Sequence, residues 1–177
     1  MKNVKWLLIL VLVCTLTSFG SKDSLVEGLR VGDVAPSFML KSAHTGNSLS
    51  GMKKNDNLIL LSFWASYDAP SRMLNARIGQ MIHKIQNQDL VKQNKANETK
   101  HRIDLFSISF DTSRAVFEET LKMDQITLHE SALALRGSSE PIFKRYKLKK
   151  GFTNYLINAK GIIVAKNLTA KDLENYI

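Results

Sequence analysis

Leu58 to Arg72 reads LILLSFWASYDAPSR, and the change of pattern inside this stretch decides the fold. Leu58 to Ala65 is an eight-residue apolar run, too short for an independent helix and rich enough in large residues for a strand covered on both faces. From Pro70 the period becomes helical. Leu74, Ile78, Ile82 and Ile85 recur with Met81 beside them, while Arg72, Arg77, Gln80 and Lys84 take the other faces. A strand followed at once by an amphipathic helix predicts an α/β arrangement.

Outward from that unit the alternation of strand and helix continues. Gln86 to Arg102 is polar and almost aperiodic, a helix end and loop. Ile103 to Phe110 (IDLFSISF) alternates Phe106, Ile108 and Phe110 with Ser107 and Ser109, a strand signature. Asp111-Thr112-Ser113 offers capping side chains for a helix through Val116, Phe117 and Leu121. Tyr155-Leu156-Ile157 and Ile162-Ile163-Val164, separated by Asn158-Ala159-Lys160-Gly161, predict a β-hairpin, and Thr169 to Ile177 a short closing helix. Before the central unit, residues 31–49 form a lead-in of short extended pieces with Pro36 and Gly46 as turn markers. No repeat or Pro/Gly-rich linker divides the chain. The expectation is one α/β domain over residues 21–177, with a mixed central β-sheet flanked by helices.

Residues 1–20 differ in kind. Lys2 and Lys5 precede the unbroken apolar run Trp6 to Val13, and Ser18-Phe19-Gly20 places small residues before a cut. This reads as a secretory signal peptide. The alternatives are a buried first helix, an uncleaved anchor, or a lipid-attachment signal at Cys14, where bulky Val13 takes the place of the usual Gly, Ala or Ser. Membrane association would follow only from lipidation at Cys14. Cleavage removes two lysines and no acid, so the net charge falls from +9 to +7, and the chain's only cysteine goes too. A single cysteine excludes an internal disulfide, a Cys-rich zinc site and a two-cysteine redox couple. No apolar run reaches the roughly 18 to 20 residues of a spanning helix, which excludes a multi-pass membrane protein.

Four segments carry a resemblance. FWASYDAPSR, residues 63–72, resembles the active-site segment of extracytoplasmic thioredoxin-like thiol-disulfide oxidoreductases of the TlpA-like or redoxin type, whose typical text is FWASWCPPCR. VGDVAPSFML (31–40) resembles the lead-in of that family, ISFD (108–111) the strand end after its first long helix, and YLINAKGIIV (155–164) its last hairpin. Together they cover nearly all of residues 29–177 in the right order, and imply the thioredoxin-like fold.

The departures bear on function. By this resemblance Asp68 stands where the attacking cysteine belongs, Ser71 replaces the resolving cysteine, Tyr67 replaces a Trp, and Ala69 and Pro70 lie between. Disulfide exchange is attack by a thiolate on sulfur, so neither a carboxylate nor a hydroxyl substitutes. Phe152, in Lys150-Gly151-Phe152-Thr153, takes the place of the cis-proline that shapes the backbone receiving a substrate's extended chain. A non-proline cis peptide costs about 2.5 to 4 kcal/mol, so a trans loop is expected. A serine nucleophile would need a positioned base, and His44, His83, His101 and His129 lie in no recognisable motif. Asp68 reads instead as a helix cap. Four scattered histidines without a cysteine pair also fail metal-ligand spacing.

Lys144, Arg145, Lys147, Lys149 and Lys150 place five positive charges in seven residues just before Phe152. They read as a solvated helix end or as a site for an anionic partner, on a loop that by the resemblance borders the former active-site face. Only Tyr146 and Phe152 interleave with them, so nucleic acid is not expected. The expectation is therefore a redox-inactive binding or scaffold module of the cell envelope, without cofactor, metal or catalytic residue. Its partner would be an unknown envelope protein or an extended peptide, met by Tyr67, Asp68, Ser71, Lys147, Lys149, Lys150 and Phe152. The alternative is an oxidoreductase-family enzyme that borrows a partner's cysteines or uses other chemistry at Asp68 and Ser71.

Overall fold

The computed structural model describes residues 25–43, 48–50, 57–92, 102–126 and 131–176. The segment 1–20 with Cys14, and His44, His101 and His129, lie outside the described residues. Two short strands come first, β1 (Met39–Lys41) and β2 (Ser48–Ser50), paired antiparallel. Then follow β3 (Leu58–Trp64), helix α1 (Ala69–Lys92), β4 (Ile103–Ser109), α2 (Arg114–Met123), β5 (Ser131–Leu133), α3 (Pro141–Arg145), β6 (Asn154–Ile157) and β7 (Ile163–Lys166). The main sheet has the order β5-β4-β3-β6-β7. Its β5-β4-β3 half is parallel, and β6 and β7 join antiparallel. It is the mixed sheet flanked by helices that the sequence pattern implies.

β3 is central, with both edges paired, so its apolar run has to be covered on both faces. Alternate residues do this. Ile59, Leu61, Phe63 and Ala65 join one buried cluster with Phe106, Ile108, Phe110, Tyr146 and Tyr155, on the α3 face. Leu60 and Trp64 join the other with Ile78, Ile82, Phe117, Leu121 and Leu156, beneath α1 and α2. Each fully buried large side chain contributes roughly 1.5 to 3 kcal/mol, and the two clusters lock β3 from either side.

The serines that alternate along β4 are buried too. Ser107 Oγ accepts from Trp64 Nε1 at 2.8 Å and donates to Asn75 Oδ1 at 2.9 Å, which ties β3, β4 and α1 through one hydroxyl. Among the described residues, Asn75 Nδ2 is the buried side-chain atom left without a partner.

The lead-in closes both sheet edges. Gly32 N–H donates to Ile163 O and Ile163 N–H to Asp33 O at the β7 edge, while Ala43 N–H donates to Ser131 O at the β5 edge. Between them the lead-in crosses the α3 face, where Tyr146 Oη donates to Pro36 O at 2.7 Å and Arg145 to Ser37 O. Covered edges cannot template further strand pairing.

Several boundaries depart from the sequence reading. α1 runs to Lys92, into the segment read as helix end and loop. Among its described side chains, the buried ones are Ser71, Asn75, Ile78 and Ile82, so two polar residues fill the first two turns of the buried seam. The hairpin strands sit at 154–157 and 163–166. Asn154 enters because its buried amide exchanges 2.8 Å bonds with Leu168, and a register irregularity beside Leu156/Ile157 starts β7 one residue later. The closing helix is one 3-10 turn, Asp172–Tyr176, with Thr169 and Asp172 bonded reciprocally at its start and Leu173 its buried residue. β5 and α3 were not legible, being three and five residues long.

Candidate functional site

β3 ends at Trp64 and the chain turns through Ala65-Ser66-Tyr67 into α1. Asp68 N–H donates to Ala65 O at 3.1 Å, closing that turn. Asp68 is the N-cap: its Oδ2 accepts the Ser71 backbone N–H at 3.1 Å, one of the amides that a helix start leaves unpaired. Pro70 sits in the first turn, where its missing N–H costs nothing. Ser71 is buried, 7% exposed, and its Oγ donates to Asp68 O at 3.1 Å. That hydroxyl faces a carbonyl and not a base. His83, the described histidine, is exposed on α1. Among the described residues no three His, Cys, Asp or Glu side chains are grouped to hold a metal ion. The first turn is built for helix capping and carries no activated nucleophile.

The turn is held from behind by Asp111. The sequence offers Asp111, Thr112 and Ser113 alike as caps for α2, but the N-cap is Ser113, whose Oγ accepts from Val116 N–H at 3.5 Å. Asp111 is 2% exposed and points the other way. Its carboxylate accepts from Ser66 N–H at 3.1 and 3.2 Å, from Ser66 Oγ at 2.6 Å and from Ser109 Oγ at 2.7 Å. The only signal was an acid ending an apolar strand. Arg72, one residue into the helix from Ser71, forks onto Asp124 at 2.7 and 2.6 Å, and that pairing raises its pKa further. An open groove of about 380 Å³ beside α1 has this pair in its wall, together with Arg77.

On the other side of the turn lies an aromatic face. Tyr67 is 71% exposed, with its ring centroid 6.4 Å from Phe152. Phe152 in turn stacks on Phe110 at 5.6 Å and 22°, and Phe110 meets Phe143 edge-on at 5.3 Å. Partial burial, then the carboxylates of Asp111 and Asp68, push the Tyr67 phenol up, so it stays protonated. All peptide bonds of the described residues are trans, that preceding Phe152 included. Gly151 sets the approach at φ 127, ψ 157, a conformation reserved for glycine, and a Cβ there would meet nothing within 4 Å.

The basic run is not a single helix end. Lys144 and Arg145 close α3, Lys147 turns the chain at φ 53, and Lys149 and Lys150 lie in a separate 3-10 turn, Leu148–Lys150. All five are exposed, and Arg145 is engaged with Ser37. Tyr146 between them is buried. The structure thus brings Tyr67 and Phe152 into ring contact and Asp68 and Ser71 into one cap. It leaves Lys147, Lys149 and Lys150 upstream of Phe152 without a hydrogen bond or ion pair to the other four among the described residues.

A thioredoxin-like protein from Parabacteroides distasonis is 32% identical, with a TM-score of 0.69 over 86% of this chain and 97% of its own. The chain belongs to the thioredoxin-like family. A thiol-disulfide oxidoreductase from Bacteroides fragilis is 26% identical, with a TM-score of 0.61 over 81% of this chain and 96% of its own. The thioredoxin domain of a thiol-disulfide oxidoreductase from Bacteroides vulgatus shares the fold at 20% identity, TM-score 0.66, over 84% and 95% of the two chains. No protein-family model matches the chain, and neither does any curated protein. This thioredoxin-like chain is therefore homologous to thiol-disulfide oxidoreductases while holding one cysteine, Cys14, and no Cys-x-x-Cys pair.

Proposed function

We propose that the protein is an exported, redox-inactive thioredoxin-like module that holds a segment of a cell-envelope protein against the face made by Tyr67, Asp68, Ser71 and Phe152. One observation carries this reading. Asp68 and Ser71 stand at the start of α1 as a closed cap, with Ser71 Oγ spent on a backbone carbonyl, while the Tyr67 ring beside them stays exposed against Phe152. The chemistry of the site has been replaced by a structural cap and the adjoining contact surface retained. The charged start, apolar run and small residues of segment 1–20 support export, with cleavage near Gly20, and the thiol leaves with that segment.

Three experiments test it. N-terminal sequencing of the exported protein should begin near Ser21, whereas a lipid-modified Cys14 would place it on a membrane. The exported protein should titrate no thiol and leave insulin-disulfide reduction at the uncatalysed rate at every pH. Turnover above that rate would revive the reading of an enzyme working with a partner's cysteines. A photo-cross-linking amino acid in place of Tyr67 should capture a partner in intact cells, where the same group in place of exposed Val116 on α2 should not. Equal capture from both positions would remove the assigned face.

A further inference from the structure

Resting on that reading of the face, we propose that its ligand is an acidic segment of a polypeptide whose carboxylates meet the lysine turn and whose next apolar side chain lies on Tyr67 and Phe152. Lys144, Lys147, Lys149 and Lys150 are all exposed, and among the described residues none of them is in an ion pair. Glu27, exposed, is the nearby acid whose charge reaches Tyr146 in this turn, and the others are committed. Glu140 is held by Arg136 at 2.9 Å, Asp111 is buried under Ser66 and Ser109, and Asp68 caps α1. Four cations within seven residues against the single carboxylate of Glu27 leave a local positive field that an anionic ligand neutralises.

The chain runs from these lysines through Gly151 straight to the aromatic face, and the space beside Gly151 is open. Past Tyr67 the sign reverses at Asp68. A ligand carrying acids along its whole length is attracted at one end and repelled at the other, and so is a uniformly anionic lipid surface. A segment with acids first and an apolar residue next satisfies both ends. A second copy of the exported chain, with its own net charge of +7, is the wrong sign for the lysine turn. Phe152 is stacked against Phe110 and offers a ring face without being free to insert into a bilayer.

The test uses the purified protein and a fluorescent peptide of the pattern Glu-Asp-Glu-Gly-Leu-Phe-Gly-Ser. Two companions accompany it, one with Gln and Asn for the acids and one with Ser for Leu and Phe. Binding of the first should exceed that of both companions and weaken as salt is raised. The Lys149→Glu/Lys150→Glu variant should bind the first peptide roughly tenfold more weakly with an unchanged melting temperature. Tyr67→Ala, at an exposed side chain, should weaken it severalfold. Equal affinity of the charge-reversed and unaltered proteins overturns the proposal, and so does retention on phosphatidylglycerol vesicles without peptide binding. Undiminished capture at position 67 in cells by the charge-reversed protein would overturn the acidic ligand alone and leave the binding face standing. Loss of position-specific capture would remove the face itself.

Discussion

At the scale of single residues, two carboxylates flank the same turn and do different work. Asp68 accepts one amide at the helix start, and Asp111, buried, accepts from an amide and two hydroxyls. Asp68→Ala should lower stability by about 1 kcal/mol, the usual worth of an N-cap. Asp111→Ala strands buried donors and should lower it by about 2 to 3 kcal/mol. Denaturant midpoints of the two variants give the order, and the reverse order would contradict the assigned roles. Glu140 supplies a pH-dependent contribution. The hydrogen bonds from Arg136 hold its carboxyl below the usual range, against the opposing effect of burial. A depressed folded-state pKa gives stability that is present above the unfolded value, near 4.3, and lost as pH falls through the folded one. Glu140→Gln should therefore be less stable than the unaltered protein at neutral pH, with the gap closing below about pH 4 in a series of denaturant melts. The sequence displayed Asp68 plainly, since a cap is local. It hid Asp111, whose partner Ser66 is 45 residues away along the chain.

At the scale of elements, the start of α1 is where the resemblance in sequence places the family's two cysteines. Asp68 at the N-cap and Ser71 three residues on lie one above the other across the first turn, within reach of a disulfide's separation. Asp68→Cys with Ser71→Cys should close an intramolecular disulfide on mild oxidation, seen as loss of free thiol in the exported protein. Its insulin reduction should stay weak, because the resemblance sets Phe152 at the family's proline position and the peptide bond before it is trans. Two persistent thiols would show that the register linking residues 68 and 71 to the cysteine positions is wrong. The helix itself was legible from Leu74, Ile78 and Ile82, but its end was not. Past Ile85 there is little apolar periodicity to read.

At the scale of the whole molecule, the lead-in is a strap that binds β7 at one edge and β5 at the other and is pinned midway by Tyr146 on Pro36. Burial pushes the Tyr146 phenol far up, so its proton remains on that hydrogen bond throughout the physiological range. Tyr146→Phe should lower stability by about 1 kcal/mol, measured by denaturant midpoint, because the Pro36 carbonyl loses its donor. No change would mean that water replaces the hydroxyl. Sequence by itself determined the α/β order, the doubly covered central strand, the final hairpin and the absence of a cysteine pair. Each of these is a matter of period or of composition within a few neighbouring residues. Tertiary structure alone decided that Ser107 and Asn75 are buried partners of Trp64, that Asp111 turns away from α2 to hold Ser66, and that Tyr67 meets Phe152. It also decided that five clustered cations divide between two turns with Arg145 already engaged. These depend on which strands and helices lie side by side, and hydrogen bonds and ring contacts between segments 30 to 110 residues apart leave no periodic trace in the chain that forms them.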